Sequence, residues 1–260
     1  MNLDFEKILS VAQEAALTAG KYLKENFDQK PEIEYKSEME LVTERDRESQ
    51  QIICKIIKDH YPHHSLLGEE DLDVVKEKEL LWMIDPIDGT TNFAHSLPIF
   101  SVSIAFLAAG KTQVGVVYAP MLEEMFYGVR GAGAFLNKKR LHVSREKEMG
   151  KSVLCTGFPY DIRESKINNV DHFNKFIFRA LAVRRLGSAA LDLCYTAAGR
   201  LDGFWELKLK PWDTAAAFLL VEEAGGKVTD FSDNPFDPLM IECVASNGFI
   251  HPQMLEIINR

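Results

Sequence analysis

An apolar run that ends on an aspartate constrains this chain more than any other stretch. Leu80-Leu81-Trp82-Met83-Ile84 reads as a short buried strand that stops abruptly at Asp85-Pro86. A carboxylate at the end of a buried strand is costly unless it is paired or binds a metal. Pro86 fixes the backbone just after it, and Asp88 follows close enough to share a cation with Asp85. Gly89 permits a tight turn and leaves backbone N–H groups free. If a short helix starts at Thr90, those groups form an anion cradle. A turn in which Asp88 merely caps that helix accounts equally well for Asp88. It leaves Asp85 unexplained.

Three other acidic signals are weaker. Gly68-Glu69-Glu70-Asp71 has the composition of a solvated loop. It directly follows Leu66-Leu67, however, so one acid can point back from a strand end. Pro211-Trp212-Asp213-Thr214 precedes an apolar stretch, where an acid favours a helix dipole and can also serve as an N-cap. Thr43-x-x-Asp46 matches a capping box.

Bulk properties narrow the chemistry. The net charge of −9 argues against direct binding to nucleic acid. A phosphate substrate would then need a cation between itself and the protein. The four cysteines, Cys54, Cys155, Cys194 and Cys243, are far apart with no CxxC pair. That pattern argues against zinc and against a disulfide framework, and fits a reducing cytoplasm. The opening Met1-Asn2-Leu3-Asp4-Phe5-Glu6 lacks the basic-then-apolar character of a secretory signal. No apolar run has the length of a membrane span.

At 260 residues the chain suits one large domain, or two small ones sharing a core. Phe5, Ile8, Leu9, Ala12, Ala15, Ala16, Ala19, Tyr22 and Leu23 recur at helical spacing. A second helix is expected from about Thr43 to just before Pro62. Strands are expected over Phe100–Leu107, Thr112–Tyr118 and Glu124–Val129. In the second half, Ser188–Ala198 and Asp213–Ala224 read as helices, the latter stopped by Gly225-Gly226. Such a mixture predicts layered sheets and helices, not a Rossmann sheet. Any seam falls near 145–152. Gly131-Ala132-Gly133 lacks the GxGxxG pattern and is read as a turn. His63-His64, beside Pro62, is read as a solvated turn, and Cys155 and Cys194 as small core residues.

Together the strings GEE (68–70), WMIDPIDGTTNF (82–93) and PWDTAAAFLLVEEAGG (211–226) closely resemble the inositol monophosphatase family. RRLGSAALDLCYTAAGRLDGFWE (184–206) looks most like its bacterial branch. The resemblance implies an α+β fold, the layered αβαβα sandwich of inositol monophosphatases and fructose-1,6-bisphosphatases. It implies one unit over residues 1–260, with a metal and phosphate half (1–147) and a substrate half (148–260). It also implies a cytoplasmic, lithium-sensitive homodimer using two to three magnesium ions per site.

Carried over by motif, Glu69, Asp85 and the Ile87 carbonyl would hold a first magnesium. Asp85, Asp88 and Asp213 would hold a second, and Glu69 with water a third. Asp46 and Thr90, with Glu69, would be catalytic, orienting and activating the attacking water. Gly89 and Thr90 would bind phosphate through backbone N–H groups. Asp88, Asp213, Gly187, Ser188, Ala189 and Glu206 would meet the substrate. Lys36 matches a lysine of the family's mobile active-site loop. The interval between Glu69 and Asp85 is shorter than in the animal enzymes, which implies a trimmed loop with its ligands kept.

Charge balance agrees. Two divalent cations cancel the charge of Glu69, Asp85, Asp88 and Asp213; a third leaves the site positive, opposite to a phosphate dianion. Oxygen ligands without Cys or His select magnesium over zinc. The expected reaction is hydrolysis of myo-inositol monophosphate by in-line attack of a metal-activated water. Fructose-1,6-bisphosphate hydrolysis is the alternative, with Arg163, Arg184 and Arg185 as candidate contacts to a second phosphate or to a dimer partner. A second alternative is a regulatory partner of the transcription machinery with a retained phosphatase fold.

Overall fold

The computed structural model describes residues 3–70, 72–74 and 79–260. Met1, Asn2 and Asp71 lie outside the described residues. The chain opens with α1 (Phe5–Asn26), the hairpin β1 (Ile33–Tyr35) and β2 (Leu41–Thr43), and α2 (Glu44–His60). Next come β3 (Ser65–Gly68), β4 (Leu72–Val74), β5 (Leu80–Asp88), α3 (Thr90–Ala94), β6 (Ser101–Ala108), β7 (Lys111–Ala119), β8 (Glu124–Val129), β9 (Gly133–Leu136) and β10 (Lys139–Arg140). The second half holds β11 (Val153–Thr156), α4 (Val170–Ile177), β12 (Ala182–Arg184), α5 (Ala189–Ala197), β13 (Gly203–Leu207), α6 (Pro211–Thr214) and α7 (Ala217–Glu223). It closes with β14 (Lys227–Thr229), β15 (Glu242–Ser246) and α8 (His251–Asn259).

Two sheets organise these elements. The larger has the order β10-β9-β8-β7-β6-β5-β3-β4 and is antiparallel except for the β3–β5 pair. The smaller runs β12-β11-β13-β15-β14, with β11 parallel to both its neighbours. Helices α1 and α2 cover one face of the large sheet, and α5, α6 and α7 fill the space between the sheets. Helices α4 and α8 cover the outer face of the small sheet. The result is the expected αβαβα layering.

Each interlayer has its own apolar core. Helix α1 lies close on the large sheet because it presents Ala12, Ala15, Ala16 and Ala19, all buried. At Gly20 a Cβ would press into the Tyr118 ring of β7 at 2.5 Å, so that contact needs glycine.

Three local expectations need correction. Strand β5 does not stop at Asp85-Pro86. It runs on to Asp88 with a register shift, Asp85 facing Ser103 and Asp88 facing Ser101. Pro86 is tolerated there because a bulge releases it from the ladder. The stretch 213–224 is not one helix but two, α6 and α7, meeting at Ala215-Ala216. His64 is not solvated: it is buried, stacked 4.6 Å from Tyr61 and 5.4 Å from Phe106, and its Nδ1 accepts from Trp82 Nε1 at 3.0 Å. The cysteines are free; Cys155 and Cys194 are buried as expected, and so is Cys243.

Candidate active site

The bulge of β5 turns Asp85, Ile87 and Asp88 into one pocket. Asp85 is 2% exposed and accepts the Ile87 N–H at 3.0 Å. Gly89 follows with φ +97°, and a Cβ there would sit 3.1 Å from both the Gly187 and Ile99 carbonyls. Conformation and space both demand glycine. Helix α3 then starts, and Thr90 Oγ1 lies 3.0 Å from Asp46 Oδ1 and 2.9 Å from the Ile87 carbonyl.

Asp46 arrives from α2. Its Oδ2 accepts from the Thr43 N–H at 2.8 Å and the Thr43 hydroxyl at 2.6 Å, so the capping box is real. The same carboxylate therefore caps a helix and faces Thr90. Burial pushes it up to about 6, against the lowering effect of its Thr43 donors.

Asp88 reaches across the two halves. It accepts the backbone N–H groups of Ala189 at 3.1 Å and Ala190 at 3.0 Å, the Ser188 hydroxyl, and the Ser101 hydroxyl at 3.3 Å. It thus sits at the N-terminus of α5, where the helix dipole favours an anion. Burial still raises it to about 6, against the donors of α5.

Glu69 and Glu70 follow directly on the end of β3. Glu69 lines the pocket, whereas Glu70 is buried beside it. Lys36, from the β1–β2 turn, bridges them at 3.0 Å and 2.5 Å. Burial opposes its charge, but the two glutamates outweigh burial and hold the ammonium above its usual range. Glu69 is raised to about 7, by burial first and against the pull of Lys36. Asp213, on α6, accepts the Lys210 N–H at 2.7 Å, closing its helix from the third position and not from the N-cap.

Glu69, Asp85, Asp88, Thr90 and Asp213 line an open pocket of about 610 Å³. Burial, then the charges of Glu69, Asp88 and Asp213, drive Asp85 well above the carboxylate range. Asp213 is driven up by burial too, with Glu69 and Asp88 adding to it. A divalent cation relieves this repulsion, and the oxygen-only donors suit a hard one. Among the described residues no three Asp, Glu, His or Cys side chains form a ready-made cage. Each carboxylate is engaged by a donor of the chain itself. A hard cation also takes carbonyl, hydroxyl and water oxygens, so a cage of side chains alone is not required.

Beyond the acids, the lining includes Gly187, Ser188 and Ala189. Glu206, on β13, presents its carboxylate there and packs so tightly on Gly157 that a Cβ would collide with it. Burial, helped by Asp192, raises Glu206 to about 8 against the pull of Arg185. Of the three arginines singled out by sequence, Arg185 lines the pocket. Arg184 is exposed on β12, and Arg163 pairs with Glu38 at 3.3 Å over a neighbouring groove.

Sequence reasoning missed Gly157, Phe158, Tyr160, Leu209 and Asp192, which also line the pocket. Asp192 carried a signal, a lone acid in the apolar run of α5. It is 1% exposed, burial drives it well above the carboxylate range, and its Oδ1 has no hydrogen-bond partner.

Among the described residues no helix is long and apolar enough to cross a membrane. An inositol-1-monophosphatase of Synechocystis sp. is 40% identical over 98% of this chain and 90% of its own. Nus factor SuhB of Escherichia coli (strain K12) is also 40% identical, over 95% and 94%. The structure of inositol monophosphatase from Anabaena (Nostoc) sp. PCC 7120 superposes with a TM-score of 0.91 at 41% identity, covering 99% of this chain and 97% of that one. The sequence pattern of the inositol monophosphatase family matches residues 4–260. With that match spanning the pocket's acids in both halves, the chain belongs to the inositol monophosphatase family and is a phosphatase of that superfamily.

Proposed function

We propose that this phosphatase hydrolyses the phosphomonoester of a small neutral polyol, myo-inositol monophosphate first among them, and requires magnesium. The carrying observation is the pocket itself: Glu69, Asp85, Asp88 and Asp213 crowd one wall, and Glu206 offers an acceptor to the alcohol. Glu69, Asp85, Asp88, Asp213 and the Ile87 carbonyl would hold the cations. When bound, magnesium supplies charge against the phosphate and acidifies water.

The chain's own groups do the rest. Backbone N–H groups of Gly89 and Thr90 cradle the phosphate, which the left-handed Gly89 lets approach the start of α3. A water donating to Thr90 Oγ1 passes its proton through that hydroxyl to Asp46. The water oxygen bonds to phosphorus in line with the departing ester oxygen. That P–O bond breaks, and the polyol oxygen leaves with a proton from solvent. Glu206, with Gly187, Ser188 and Ala189, orients the hydroxyls of the alcohol.

A bisphosphate fits this pocket less well. Its one lining arginine, Arg185, already answers to the buried Asp192 and Glu206. Phosphate release from inositol 1-phosphate and fructose 1,6-bisphosphate, with magnesium and with chelator, tests both points. Full turnover after exhaustive chelation refutes the metal reading, and a preference for the bisphosphate refutes the substrate.

The relatives named Nus factor SuhB support a second role beside catalysis, contact with a transcription assembly. A variant without activity that still met the cellular need would favour that role. The exposed Ile177, Phe178 and Leu181 next to edge strand β12 support a homodimer, which sedimentation would measure. The free cysteines support a reducing, cytoplasmic setting.

A further inference from the structure

We propose that Glu70, which does not line the pocket, is a positioning residue: it seats Lys36 permanently, so that a cation can take Glu69 while the β1–β2 hairpin stays closed beside the site. The inference rests on the reading of Glu69 as a cation ligand.

The two glutamates differ in how they are held. The Glu70 backbone is gripped from both sides by Gln50 of α2, whose Oε1 accepts the Glu70 N–H at 3.1 Å and whose Nε2 donates to the Glu70 carbonyl. Its side chain is 5% exposed. Glu69, 15% exposed and on the pocket wall, is the one free to turn to another partner. Lys36 is closer to Glu70, at 2.5 Å against 3.0 Å.

The hairpin needs such a seat. All of β1 is exposed. The turn is closed by Lys36 N–H to the Glu40 carbonyl at 2.8 Å and by Ser37 N–H to the same carbonyl at 3.2 Å. Strand β2 is anchored through buried Val42 and Thr43, but among the described ion pairs β1 and the turn are otherwise tied to the body by pairs of exposed groups, Glu34 with Arg47 and Glu38 with Arg163. Such pairs hold weakly. The pair with Glu70 is the most sheltered, Lys36 being 26% and Glu70 5% exposed. With Glu70 absent, Lys36 has only Glu69 among the described residues, and a cation there must evict the ammonium and release the turn.

The test is magnesium titration by calorimetry on the full chain freed of metal by chelation, combined with hydrogen exchange over residues 33–43. Four proteins are compared: wild type, Glu70→Gln, Lys36→Met and the double variant. Glu70→Gln is expected to weaken magnesium binding by roughly tenfold, part of it plain loss of a charge. In the Lys36→Met background the same substitution is expected to cost only about twofold, because no ammonium competes for Glu69. Wild-type exchange is expected to be the same with and without magnesium, whereas in Glu70→Gln magnesium deprotects the hairpin. Equal losses in both backgrounds, or a Glu70→Gln hairpin indifferent to magnesium, overturn the proposal. If Glu70→Gln does not fold, Lys36→Met decides alone: a hairpin as protected as in wild type overturns it, and a deprotected one supports it. Wild-type magnesium affinity in Glu69→Gln defeats the ligand reading itself, an outcome distinct from these.

Discussion

At Asp88 one side chain serves two masters. It is a proposed cation ligand and also the acceptor at the start of α5. Asp88→Asn is therefore expected to abolish phosphate release at moderate magnesium while the fold survives in chelator. The lost charged acceptor at the start of α5 costs about 1–2 kcal/mol, and relief of a carboxylate that burial already raises to about 6 offsets it. Urea melts in chelator and phosphate-release assays read the two effects separately. Near-normal turnover at moderate magnesium would remove Asp88 from the cation site. Glu206 isolates recognition from cation binding. Glu206→Gln keeps the shape but weakens the acceptor, and hydrogen bonds to charged groups are worth roughly 1.5–3 kcal/mol. A loss of about tenfold or more in kcat/KM on inositol phosphate is expected. An aryl phosphate lacks those hydroxyls and is expected to be hydrolysed almost as before. Equal losses on both substrates would move Glu206 to the cation site or the fold.

Helix α2 ties a structural cap to the proposed proton acceptor. Thr43 donates through both N–H and hydroxyl to Asp46 Oδ2. Thr43→Ala removes the hydroxyl and with it the N-cap, at about 1 kcal/mol of stability. It also removes a donor that holds the Asp46 carboxyl down from the rise caused by burial. The Asp46 pKa then moves higher, so the acid limb of the kcat profile is expected to shift to higher pH. A melt and a pH–rate profile check the pair of effects. A destabilised variant with an unmoved acid limb would remove Asp46 from the proton path. Thr43-x-x-Asp46 was legible as a capping box because its contacts are local. That Asp46 also meets Thr90 was not legible, since 44 residues separate them.

Over the whole molecule, the crowded acids make stability depend on pH and on metal together. Burial is the first cause of each rise: Asp46 and Asp88 to about 6, Glu69 to about 7 and Glu206 to about 8. Between the ordinary carboxylate range and about pH 8 the folded chain thus binds more protons than the unfolded one. Stability then falls as pH rises. In chelator the melting temperature is expected to drop from about pH 4.5 toward pH 8. On the proposed reading magnesium would bind the ionised acids, so the stabilisation it adds is expected to grow over the same interval. Melting curves against pH, with chelator and with magnesium, check this; a chelated protein that gains stability up to pH 8 contradicts it. The sequence by itself determined what depends on near neighbours: the apolar stripe of α1, the stop at Gly225, the oddity of a carboxylate directly after a buried apolar run. Motif resemblance extended this to the proposed cation ligands. The tertiary structure alone decided that β5 bulges through Pro86, that α6 and α7 part at Ala215-Ala216, and that Glu70 rather than Glu69 is anchored by Gln50. It also brought Gly157, Asp192 and Arg185 to the wall that Glu206 shares. The physical reason is range: periodicity and capping act within a turn or two of chain. Asp88 meets Ala190 across 102 residues only because two sheets pack on the same layer of helices.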